Sequence, residues 1–258
     1  MIALICLFLV FGSPTQENHE DIIKKAQTLI LQRDRDKALQ VLQFAVERET
    51  KNAAVTKKLR AAMTQMGEMV FTERGQQMLE TAESMVANDP AQALDLYKET
   101  LKMEQGNLKV EVQIAKAYFL LDDCDNAASF AEGVLQTHPW HEAGIFLLAQ
   151  ARVCKNKTFT IKDTQVSSIQ DDWVRAYVSA AITYLDQDYL KLLRETEVAI
   201  KKFPDFSELY WFRAQALIAQ KKDAAIEINS YKELCNAKPS VLPQQKSLLY
   251  SCKHKDKI

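Results

Sequence analysis

His138, Pro139, Trp140, His141 and Glu142 are the densest group of potential metal ligands in the chain. Two histidines three residues apart could share a divalent ion if they lay on one helical face. Pro139 stands between them and breaks that face, because proline cannot continue a helix through the interval. The segment is therefore expected to be a turn in which His141 and Glu142 open a helix, and metal binding or enzymatic activity is the minor reading. Cys124, Cys154, Cys235 and Cys252 remain once Cys6, inside an apolar N-terminal run, is set aside. Four cysteines allow three disulfide pairings, and their number does not choose among them; they could equally be small buried hydrophobes. No Gly-rich phosphate loop, GxSxG, CxxC or HExxH occurs, so no catalytic residue, metal ligand or cofactor is assigned.

The elements that must position these residues are helical. The chain has 258 residues, 47% hydrophobic and 26% charged, with only six Gly and six Pro. That is too apolar for disorder and suits a mostly helical fold. A formal net charge of −1 leaves no basic excess to neutralise phosphates, which argues against nucleic acid as a partner. Residues 1–11, MIALICLFLVF, form an apolar run too short for a bilayer, which takes about 20 residues. With small residues at Val10 and Gly12 and a polar stretch after Ser13, the run reads as the apolar region of a secretory signal cleaved after Gly12, although a basic leader is missing. The expectation is an exported protein, periplasmic or secreted, with no integral membrane span after cleavage. Cys6 follows too few residues to be a lipoprotein anchor.

Thr81, Ala115, Ala149, Ala180 and Ala214 recur at intervals of 34, 34, 31 and 34 residues, each within an apolar stretch of helical period. Around Ala115 the pattern adds Tyr118, Ala127 and Pro139. The series Ala26, Leu29, Ala38, Leu42, Ala45, Thr50 repeats Ala115, Tyr118, Ala127, Ala131, Val134, Pro139 interval for interval, 89 residues earlier. This pattern resembles the tetratricopeptide repeat, a helix–turn–helix unit of about 34 residues. The resemblance covers most of residues 19–253, strongly in 107–139 and weakly in 51–77 and 155–170. It implies an all-α, right-handed α-solenoid of helical hairpins. The expected organisation is a leader over 1–18, an N-terminal block over 19–154, an inserted loop over 155–170, and a second block over 171–258 closed by a polar capping helix at 243–253. Between 51 and 87 the pattern allows two helices or one helix bent near Gly67–Gly75. Asn156 starts the chain's one Asn-x-Thr sequon, within the inserted loop.

In this family the first helix of each unit lines the concave side. The resemblance thus places Phe119, Phe146, Tyr177, Tyr184 and Trp211 near an apolar protein-binding groove, beside Lys116 and Gln150, with packing between helices as the competing role for each ring. The family's clamp for a C-terminal carboxylate needs Lys, Asn and Arg at inward sites, and Val112 and Phe146 stand where Lys or Asn would be wanted. The same geometry sets the C-terminal ends of neighbouring first helices side by side, favouring a Cys124–Cys154 disulfide. It also sets Cys235 and Cys252 at opposite edges of the layer, too far apart to bridge. The implied function is a non-enzymatic scaffold or adaptor of the cell envelope that holds a protein or peptide segment. A subunit of an envelope assembly, pilus-biogenesis or secretion machine is the alternative, and oligomeric state is left open.

Overall fold

The computed structural model describes residues 18–49, 51–159, 161–236 and Cys252. It is all-α, with no strand among the described residues. The expected capping helix at 243–253 lies outside them, except that Cys252 occupies a turn. The chain falls into two compact units, 1–63 and 64–258. In the first, α1 (His19–Leu31) and α2 (Arg35–Arg48) form an antiparallel hairpin, and α3 (Ala53–Glu68) begins. Ala26, Ile30, Ala38, Leu39, Leu42 and Val46 are the buried apolar residues of that hairpin.

The second unit starts with the last turn of α3 and continues with α4 (Glu73–Met85), α5 (Pro90–Met103), α6 (Leu108–Leu120), α7 (Cys124–Thr137) and α8 (Glu142–Lys155). After a single helical turn, α9 (Asp163–Val166), follow α10 (Asp172–Leu185), α11 (Tyr189–Lys202), α12 (Ser207–Ala219) and α13 (Ala225–Asn236). Residues 51–87 thus form two helices, parted at Met69–Thr72.

Polar side chains fix the helix starts. Thr72, Asp89, Asn107, Asp123, His141 and Asp188 each accept a backbone N–H of the first turn they precede. Three hairpin turns share a form without glycine: Arg33, Asp122 and Gln187 take left-handed φ of 60°, 61° and 59°, and the next residue is the capping Asp. A second brace joins α4 to α5. The buried Glu104 carboxylate, at the end of α5, accepts the Phe71 and Thr72 N–H groups at 2.9 Å and the Thr72 hydroxyl at 2.7 Å.

In this unit consecutive helices pack from α4 to α8 and from α9 to α13, and the first helices of successive hairpins also pack on one another: α6 on α8, α8 on α10, α10 on α12. The second helices α7 and α11 each bridge two of these. Where α8 should acquire its own second helix, residues 156–159 and 161–171 instead form a mostly non-helical strap with only α9. Its Phe159, Ile161, Val166 and Ile169 pack against the core of α8 and α10–α13. Gln165 Nε2 secures it to the Pro139 carbonyl, and Glu142 to the Gln170 N–H.

Candidate functional site

The 34-, 31- and 34-residue spacings put side chains in rows across the four packed first helices: Val112, Phe146, Tyr177, Trp211; Lys116, Gln150, Ala181, Gln215; and Phe119, Val153, Tyr184, Ile218. All four residues of the first row are buried. Phe146 meets Tyr177 edge-on at 4.8 Å and Trp173 at 5.2 Å, Tyr177 meets Phe212 at 5.4 Å, and Trp211 meets Tyr184 at 5.2 Å. These rings fill space between helices. Of the five aromatics expected along the groove, Phe119, Phe146, Tyr177 and Trp211 are therefore buried, and Tyr184 keeps partial exposure. The physical reason is the small residues beside them. Ala149, Ala180, Ala181 and Ala214 have almost no accessible surface and let the helices close until the rings interlock.

The third row opens to solvent toward its C-terminal end. Phe119 and Val153 are buried, Tyr184 is half-buried, and Ile218 is 48% exposed, with half-buried Gln215 one turn before it. Sequence patterning did not single out Ile218, because an apolar residue at helical spacing carries no mark of exposure.

The N-terminal end of the layer is polar. Glu83 on α4 accepts Gln113 Nε2 at 3.2 Å and pairs with Lys109 at 2.9 Å. Lys116 is 5% exposed; burial lowers its ammonium pKa to about 8, and the Glu83 charge acts in the opposite direction. Gln150, 3% exposed, occupies the equivalent position one hairpin on, and its Oε1 and that of Gln113 are buried without a hydrogen-bond partner. A buried amide oxygen left unpaired costs about 1–3 kcal/mol.

The histidines act as structure. His141 caps α8, its Nδ1 accepting the Gly144 N–H, while its Nε2 lies 3.1 Å from Glu68 Oε1; His138 Nε2 lies 3.0 Å from the Thr64 hydroxyl. Among the described residues no three His, Cys, Asp or Glu side chains are grouped to hold a metal ion.

Two disulfides are present. Cys124, at the start of α7, is bonded to Cys154 near the end of α8, with Cα atoms 6.4 Å apart. Cys235 is bonded to Cys252 at 5.6 Å, which corrects the expectation that this pair is too distant. That expectation treated the chain before Cys252 as a rod leading away from α13. Instead Cys252 returns to the start of α12, where its N–H donates to Glu208 Oε1 at 2.9 Å. Because α12 and α13 are antiparallel neighbours, the start of one and the end of the other share an edge.

The architecture is that of a protein built from repeated helical hairpins. Among solved structures, the chain is similar to a tetratricopeptide repeat protein from Parabacteroides merdae, with 16% sequence identity, 84% of each chain covered and a TM-score of 0.44. No protein-family model matches the chain, and neither does any curated protein sequence.

Proposed function

We propose that the protein is a non-enzymatic scaffold of the cell envelope that holds an extended segment of a protein partner across α6, α8, α10 and α12. The observation carrying this reading is the mixed character of one helix layer. Half-buried Gln215 presents an amide that can pair with main-chain groups, and Tyr184 and Ile218 offer apolar surface for a side chain. An extended peptide supplies both, its amides at regular intervals and its side chains alternating between them. Two disulfides support an oxidising, extracytoplasmic setting. Among the described residues no helix is long and apolar enough to cross a membrane.

Photo-crosslinking in the source cells tests the site. A reactive residue at position 218 or 215 should capture the same protein, and one at Val198 on α11, 70% exposed, should not. Ile218→Glu should weaken binding of that protein about tenfold with an unchanged melting temperature. Capture only at 198, or full affinity in the Ile218→Glu variant, would move the site off this layer.

A further inference from the structure

Glu208, in the first turn of α12, is 5% exposed, and its carboxylate has two donors from outside its own backbone: the Ser207 hydroxyl at 2.8 Å and the Cys252 N–H at 2.9 Å. α12 has no side-chain N-cap bond of its own. Burial pushes the Glu208 pKa up, and the Ser207 and Cys252 hydrogen bonds pull it back. The Cys252 amide is held there by its bond to Cys235, in the last turn of α13. Tyr231 is the one fully buried residue of α13. The two disulfides also differ in access. Of the Cys124–Cys154 pair Cys124 is completely buried and Cys154 partly exposed, whereas Cys235 and Cys252 are both partly exposed.

We propose that the Cys235–Cys252 disulfide is a redox-sensitive clasp: a dithiol reductant opens it ahead of Cys124–Cys154, withdraws the Cys252 amide from Glu208, and loosens the first turn of α12 and the last turn of α13. In that exchange the dithiol gives two electrons and two protons. Its thiolate attacks one sulfur of the bridge, the S–S bond breaks through a mixed disulfide, and the second thiol displaces the other cysteine. The products are two free cysteine thiols and one oxidised dithiol. Because the contact with Glu208 exists only in the closed form, the carboxylate and the disulfide stabilise each other by linkage. Removing either partner weakens the other by the same factor.

The experiment titrates the full-length oxidised protein with dithiothreitol, maps each disulfide by differential alkylation and peptide mass, and follows backbone hydrogen exchange. Cys235–Cys252 should open while Cys124–Cys154 stays closed, and exchange should rise in 207–212 and 230–236 but not in α6 and α7. Glu208→Ala should shift the opening of Cys235–Cys252 to about tenfold lower reductant, the loss of one charge-assisted hydrogen bond. Glu208→Gln, which keeps one acceptor oxygen, should restore part of that shift, and Cys124–Cys154 should not move in either variant. The double variant Cys235→Ser with Cys252→Ser should reproduce the reduced protein's exchange without reductant. Simultaneous opening of both disulfides, unchanged exchange at 207–212, or no shift in Glu208→Ala would overturn the clasp.

Discussion

Lys116 is the residue whose charge is most at odds with its surroundings. Its pKa falls from the usual 10.5 to about 8 because burial removes water from the ammonium, and Glu83 offsets only part of that loss. An unfolded chain would therefore bind more protons than the folded one between about pH 8 and pH 10.5, and stability should rise across that window. Measured against Lys116→Met, which removes the titrating group, the gain should approach about 3 kcal/mol, read from denaturant midpoints at each pH. Glu208 has the opposite sign. Its raised pKa makes the folded state the better proton binder, so its contribution to stability should grow as pH falls toward 4.5 and vanish in Glu208→Gln. Tyr177, 3% exposed among Phe146, Phe206 and Phe212, belongs to the interior, so Tyr177→Ala should cost about 3–5 kcal/mol in thermal or denaturant unfolding. The repeat arithmetic placed these aromatics in their rows; whether a ring faces a neighbour or water depends on how closely the alanines let the helices approach, which a one-chain pattern does not encode.

At the scale of elements, the helices and their turns were largely legible. Acidic and Asn caps precede apolar runs, Pro90 begins α5, and small residues mark the close approaches. The left-handed hairpin turns left no glycine signal because Arg33, Asp122 and Gln187 carry them under strain. Gln187 is exposed, so Gln187→Gly should raise stability by about 0.5 kcal/mol, relief of the strained φ outweighing the added freedom of the unfolded chain. Glu104 was also unmarked, since a glutamate ending an amphipathic helix looks like surface until a neighbouring turn is placed over it. Three donors converge on it, and Glu104→Gln would turn an amide N–H against one of them. A loss of about 2 kcal/mol is expected, measurable by chemical denaturation.

For the molecule as a whole, the succession of helical hairpins reads from the 34-residue period. The covalent ties did not read so well. Cys124 and Cys154 sit on consecutive helices α7 and α8, so their juxtaposition follows from the hairpin pattern. The bond between Cys235 and Cys252 has no counterpart in the repeat period. Replacing Cys124 and Cys154 by serine should cost about 2–4 kcal/mol, because the bridge closes a long loop in the unfolded chain.

The same bridges set how far the protein can be stretched. Pulled from its two ends, a chain without cross-links lengthens by about 3.4 Å for every residue released. The oxidised molecule withholds the stretches between bonded cysteines, separations of 30 and 17 residues. Its fully drawn length should therefore fall short of the reduced protein's by about 150 Å, because each bridge itself spans only 6.4 or 5.6 Å between Cα atoms. Two discrete increments of about 95 and 50 Å should appear as reductant is added under constant load. The maximum reach of the stretched chain would thus be set by its thiol chemistry.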